Sequence, residues 1–144
     1  MYPLVLMLLA LAASYLLNRY VPARMVVPEM IRYLGAVPVL AAIWIVGKSA
    51  QSFRKRDTTV MPYERSTALV TDGFYENSRN PMYLAMLLLQ MGVAWLLGSV
   101  TAFLPVPLMY LVLRYRVIAM EEGMLEEAFG EEYLDYKRTV RRWL

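Results

Sequence analysis

Two short clusters hold the residue types that could carry chemistry. The first is Ser78-Arg79-Asn80-Pro81-Met82-Tyr83. Asn80 before Pro81 has the form of a helix start, since Asn is a good N-cap and Pro a good first helical residue. A structural cap therefore accounts for that pair without any ligand, but it does not account for Arg79 and Tyr83 beside it. A helix N-terminus presents unpaired N–H groups and partial positive charge, and an adjacent arginine makes it a receptor for a carboxylate or phosphate. An aromatic face such as Tyr83 or Tyr75 would suit a cationic group. The second cluster is Arg114, Arg116, Glu121 and Glu122. On a straight helix Arg114 and Glu121 share a face with Ile118 between them, whereas Arg116 and Glu121 point away from each other unless the helix bends. Ionisable groups this close to apolar sequence either line a polar cavity or snorkel toward headgroups, and the residues alone leave both readings open.

The remaining composition narrows the chemistry. The chain has no Cys and no His, which excludes disulfides, thiolate nucleophiles, imidazole bases and the usual zinc sites. Catalysis would have to use carboxylates, Arg, Lys, Tyr, amides or hydroxyls. Glu126, Glu127, Glu131, Glu132 and Asp135 read as a solvated helix face, because the acidic pairs alternate around the helix and no His joins them. The net charge of +3 comes from basic residues in short runs beside apolar stretches. That pattern points to headgroup contact and membrane topology, and not to nucleic acid.

The elements that must position these clusters are membrane helices. Of 144 residues, 59% are hydrophobic and only 19% charged, too apolar for a soluble domain of this size, so a bilayer is the natural solvent. The fold class expected is all-α, an integral membrane bundle of about four transmembrane helices forming a single domain over residues 1–144. Residues 2–20 form one apolar run of the roughly 20 residues that a spanning helix requires. A cleaved signal peptide is the alternative, but the run has no basic start and continues apolar past Ala12-Ala13-Ser14. Residues 33–47, between Arg32 and Lys48, give a short second helix whose flanking charges would snorkel. Residues 80–113 carry no charge; as one helix they would run about 51 Å at ~1.5 Å per residue, against a core of ~30 Å. They must fold back, with Gly98-Ser99 as the break, giving helices over 81–97 and 100–119. Pro105 and Pro107 should kink the latter.

Lys and Arg in the connections set the expected orientation. Arg19, Arg24 and Arg32 lie on the first; Lys48, Arg54, Lys55, Arg56, Arg65 and Arg79 lie on the second. The charge-poor Gly98 turn lies opposite the second connection, and Lys137, Arg138, Arg141 and Arg142 lie on its side, so both termini are expected in the cytoplasm. The long second connection, with Thr58-Thr59-Val60-Met61-Pro62 and a turn signal at Asp72-Gly73, suits a hairpin or re-entrant lid. Residues 121–143 read as a cytoplasmic, interfacial amphipathic tail interrupted at Gly130.

Taken together and in order, these pieces resemble the isoprenylcysteine carboxyl methyltransferase family and its phospholipid methyltransferase relatives, over roughly residues 58–143. The pieces are Thr58-Thr59-Val60 with Pro62, Leu69-Val70-Thr71-Asp72-Gly73-Phe74-Tyr75, Arg79-Asn80-Pro81-Met82-Tyr83-Leu84, Glu121-Glu122 with Leu125, and Phe129-Gly130-Glu131-Glu132-Tyr133 with Tyr136. The resemblance implies a pocket for S-adenosylmethionine roofed by the tail, and a tunnel admitting a lipophilic or lipid-modified acceptor from the membrane. By carry-over, Arg79, Asn80, Pro81, Tyr83, Glu121 and Glu122 fall to the cofactor, and Arg116 with Glu121 to the methyl-accepting group. Asn80 stands where the family often has His, and Ala85 where a Gly is common; an amide can bind the cofactor but cannot act as a base.

That departure bears on mechanism. A carboxylate or thiolate acceptor is already an anionic nucleophile, so positioning and exclusion of water supply most of the acceleration. An amine acceptor would need Glu121 or water as base, which tilts the reading toward an anionic acceptor. Two other functions compete: an NADPH-dependent membrane reductase of the sterol-reductase type, separable by NADPH titration, and a non-catalytic scaffold, separable by a labelled methyl-transfer assay.

Overall fold

The computed structural model describes residues 3–21, 24–56 and 67–144. It contains helices throughout and, among the described residues, no strand beyond an isolated bridge between Met25 and Ser99. Helix α1 (Pro3–Tyr20) is followed by a single turn, α2 (Glu29–Arg32), which runs through a 3-10 turn at Tyr33–Gly35 into α3 (Ala36–Lys55). The second helix is thus longer at both ends than the 33–47 expected from charge-free length. Its apolar rod Glu29–Lys55 has 27 residues, about 40 Å at ~1.5 Å per residue. Nothing between Lys48 and Lys55 breaks the helix, so it runs on through its basic end.

Helix α4 (Pro81–Leu97) ends where Gly98 takes φ +81° and donates its N–H to Ala94 O at 3.0 Å. Only glycine adopts that left-handed turn without strain. Two segments, α5 (Val100–Phe103) and α6 (Pro105–Val112), continue from it. The break between them falls at Leu104, one residue before Pro105, which has no N–H to donate and whose ring clashes with the carbonyl four residues back, that of Thr101; Leu104 N–H donates to that carbonyl instead at 3.3 Å. A π turn over Leu113–Val117 then leads into α7 (Ile118–Phe129). The fourth helix therefore does not stop near 119: the rod from Val100 to Phe129 spans 30 residues, and the acidic pair rides on its end. Gly130, at φ +51°, turns the chain into α8 (Glu131–Thr139).

Helix α4 is the centre of the bundle. It packs along α3 and against α1, α5 and α6. Gly35 and Gly92 let α3 and α4 meet closely, since a Cβ on Gly35 would stand 2.7 Å from Gly92 O. On the other side a polar staple crosses the bundle interior: the Gln90 amide donates to Ala10 O at 3.1 Å and to Ser14 Oγ at 2.7 Å, and Ser14 Oγ donates to Ala102 O at 2.7 Å. In hydrocarbon such groups need protein partners. The outer faces of α1 and α3 expose Leu4, Leu8, Leu16, Val37, Leu40 and Ile43, a surface that only lipid covers favourably.

The end of the bundle that holds the Gly98 turn is closed by backbone. Val26 and Val27 N–H groups both donate to Gly98 O, and Val100 N–H donates to Arg24 O. Thr58, Thr59, Val60, Met61 and Pro62, part of the expected hairpin or lid, lie outside the described residues. The described remainder of that connection makes a 3-10 turn at Gly73–Glu76. It is pinned to the end of α3 by Arg56, which donates to Leu69 O at 2.7 Å and pairs with Asp72 at 3.2 Å.

Candidate functional site

The start of α4, the end of α7, the tail helix α8 and the connection before α4 converge at one end of the bundle. Arg79, Asn80, Glu121 and Glu122 line one pocket there, together with Tyr75, Tyr133 and Tyr136 and apolar residues including Leu69, Val70 and Leu125. Four of the six cofactor residues expected from the sequence are thus pocket-lining, although they come from two helices separated by the whole hairpin. Tyr83 stands one turn into α4 and donates its hydroxyl to Glu121 Oε2 at 2.8 Å. Pro81 begins the helix, fully buried.

Glu122 is the electrostatic centre. Its carboxylate is buried and accepts from Arg142 Nε at 3.0 Å on one oxygen and from Arg142 Nη2 at 2.7 Å on the other, a bidentate pair. Arg79 Nη1 approaches the first oxygen at 3.2 Å and also donates to the Tyr133 hydroxyl at 3.4 Å. Burial and the Glu122 charge push the Tyr133 phenol up to about 12, with Arg79 acting against them. Burial likewise raises Tyr75 and Tyr136. All three rings therefore stay neutral at ordinary pH and act as aromatic walls, with the Tyr136 hydroxyl donating to Tyr75 O at 2.7 Å and the Tyr133 hydroxyl accepting from Arg79. The Arg142 guanidinium is held charged by its bonds to Glu122.

Asn80 sits at the N-cap position but makes no side-chain cap. Its amide instead donates to Arg142 O at 2.9 Å, while its backbone N–H donates to Ser78 Oγ at 3.2 Å. Next to it the Arg79 N–H donates to Arg141 O at 2.9 Å. The tail thus returns to the start of α4 through two bonds to its backbone carbonyls, and to α7 through the Arg142 side chain on Glu122. Both Glu122 oxygens and the Asn80 amide are already engaged by this segment. The cavity beside them is only about 50 Å³, well below the ~300–1,000 Å³ of small-molecule sites. A ligand that uses Glu122 or Asn80 has to displace Arg142.

Arg116 is not brought to this pocket. It lies within the π turn, exposed, and among the described residues it forms no ion pair. The i→i+5 bonding of that turn shifts the register on which the sequence spacing was judged, and Glu121 finds Tyr83 instead of an arginine. Arg114, on the same turn, is half-buried and donates to the Tyr110 hydroxyl at 2.6 Å. Arg142, which does not line the pocket but holds the Glu122 carboxylate that does, is the residue that sequence reasoning missed. Its Arg-Arg-Trp context reads as an interfacial anchor, and no local pattern announces a partner on Glu122.

A bundle of long apolar helices with a polar pocket at one end, walled by the basic connection before α4 and by the tail, defines a class, the multi-helix membrane protein. Comparison with known proteins is more specific. The family model described as phospholipid methyltransferase matches residues 30–132, and the chain belongs to that family. The family is one of membrane methyltransferases, which generally use S-adenosylmethionine. A protein of Haemophilus influenzae described as uncharacterized is 46% identical over 63 residues, which is 44% of this chain and 100% of that relative. No solved structure matches the chain significantly.

Proposed function

We propose that this chain transfers the methyl group of S-adenosylmethionine to a lipophilic or lipid-modified acceptor that approaches from the bilayer, at a site on the cytoplasmic side, where both termini also lie. The observation that carries the reading is the meeting of Arg79 and Asn80 with Glu121 and Glu122 in one tyrosine-walled pocket. The residues present fit such a cofactor. Arg79 offers a buried guanidinium whose Nε has no hydrogen-bond partner, suited to a carboxylate. Glu121 and Glu122 offer acceptors for an ammonium and for ribose hydroxyls. The faces of Tyr75 and Tyr133 suit a sulfonium. When bound, S-adenosylmethionine supplies an electrophilic methyl group on that sulfonium.

The protein's part is then placement. Arg79 and Glu122 orient one partner, the tyrosines and Leu125 exclude water, and the bilayer delivers the other, which together convert a bimolecular encounter into a positioned displacement. Once Arg142 is displaced, Glu122 still faces Arg79, so Glu121 is the pocket carboxylate placed to receive a proton when the acceptor carries one. A carboxylate or thiolate acceptor requires no such step.

Calorimetry on the intact protein in detergent tests this. Saturable binding of S-adenosylmethionine, weakened at least about tenfold by Arg79→Met, is expected, since removing one charge-assisted contact costs about 1.5–3 kcal/mol. Labelled cofactor with a total lipid extract should then yield a labelled lipophilic product. Absence of cofactor binding by the unaltered protein removes the basis of the proposal.

A further inference from the structure

An apolar groove runs along the outside of the bundle where α4 diverges from the α5–α6 segment. Leu84, Leu88 and Met91 form one wall and Leu104, Pro107 and Tyr110 the other, around a volume of about 630 Å³. Its residues recur at helical spacing on both walls, and neighbouring Leu108 and Leu111 are exposed, so the groove opens toward the bilayer. It shares no lining residue with the polar pocket.

One end of the groove is positively charged. The Tyr110 hydroxyl accepts from Arg114 Nη1 at 2.6 Å, and its ring stacks against Trp143 with centroids 5.5 Å apart. Arg114 meets no carboxylate among the described residues. Arg114 Nε and Trp143 Nε1 also lack acceptors. The corner therefore holds a fixed guanidinium and surplus donors with no anion of its own. An unpaired charge at the edge of hydrocarbon is costly unless a counter-charge reaches it, and basic pockets between membrane helices are where acidic headgroups bind.

We propose that this groove seats a resident anionic phospholipid, with an acyl chain along α4 and α6 and its headgroup phosphate at Arg114. The lipid is distinct from the methyl acceptor, because the groove shares no lining residue with the polar pocket. Tyr110 touches both Arg114 and Trp143, so headgroup binding stiffens the docking of the C-terminal tail. The inference stands independently of S-adenosylmethionine binding.

Native mass spectrometry of the full chain in detergent, with phosphatidylglycerol and phosphatidylcholine of identical acyl chains, tests it. The unaltered protein should retain phosphatidylglycerol about fivefold better, the gain expected of one arginine engaging an acidic headgroup. Arg114→Gln should equalise the two lipids, whereas Arg54→Gln, which removes the same charge from an exposed site on α3, should keep the preference. Leu88→Trp, filling the groove, should lower retention of both. In the unaltered protein, phosphatidylglycerol bearing a photoreactive acyl chain should label the walls of the groove, a readout that does not depend on any variant folding. Equal retention of the two lipids, equal loss in Arg54→Gln, labelling elsewhere, or a second copy of the chain occupying the groove and excluding lipid would each overturn the proposal.

Discussion

Replacing Glu122 by glutamine removes a buried charge that serves two arginines while leaving the side-chain shape unchanged. In the native protein the Arg79 and Glu122 side chains are each 9% exposed, and Arg142 is 34% exposed. Glutamine turns one acceptor oxygen into an NH₂ facing guanidinium donors. Arg79 then has no counter-charge and, beside the Tyr133 hydroxyl at 3.4 Å, at most one neutral amide oxygen shared with Arg142, which amounts to an uncompensated buried cation. Breaking such a pair by removing one partner costs about 3–5 kcal/mol. Arg142→Met differs: Glu122 retains Arg79, and the lost partner is partly solvated, so the cost should be nearer 1–2 kcal/mol. The two are distinguished by hydrogen exchange of the Arg79 amide, whose bond to Arg141 O at 2.9 Å reports the tail's attachment. At 1.4 kcal/mol per factor of ten, exchange should accelerate roughly a hundredfold or more in Glu122→Gln and about tenfold in Arg142→Met, up to the rate set by global unfolding. Both measurements are made without ligand. A change below about threefold in Glu122→Gln would refute the claim that this ion cluster holds the tail on α4.

Three further outcomes follow from the geometry. Asn80→Ala should cost about 1 kcal/mol through loss of its bond to Arg142 O and should free the tail to proteolysis, yet leave helix content unchanged by circular dichroism, because Asn80 does not cap α4. Gly35→Ala places a methyl 2.7 Å from Gly92 O and should destabilise the α3–α4 contact by about 1–3 kcal/mol, whereas Gly47→Ala meets nothing within 4 Å and should be neutral or stabilising by up to ~1 kcal/mol; thermal melts in one detergent compare them. Gln90→Leu should cost about 0.6–1.7 kcal/mol, the range for interhelical hydrogen bonds in membranes, since it removes the amide bonds to Ala10 and Ser14 but also the Gln90 Oε1 that has no partner; an equilibrium unfolding titration in mixed micelles reads the difference.

The sequence by itself determined the medium and the hairpin. Charge-free length and the inability of 80–113 to span as one helix require a turn, and Gly98 is the residue whose left-handed conformation makes it. Local chemistry also placed Pro81 at the head of α4 and a break at Gly130. Helix ends were less legible where hydropathy was the guide, because hydropathy marks where hydrocarbon stops and backbone hydrogen bonding does not stop there. The rods Glu29–Lys55 and Val100–Phe129 therefore outrun their apolar cores. Only the tertiary structure decided the partners. A π turn, invisible to a count of 3.6 residues per turn, leaves Arg116 on the outside and gives Glu121 to Tyr83. Asn80, which any local rule makes a cap, spends its amide on the backbone of a segment more than sixty residues away. Arg142 reaches Glu122 because the turn at Gly130 sends α8 back over the start of α4, a long-range consequence of one backbone angle that no neighbouring residue encodes.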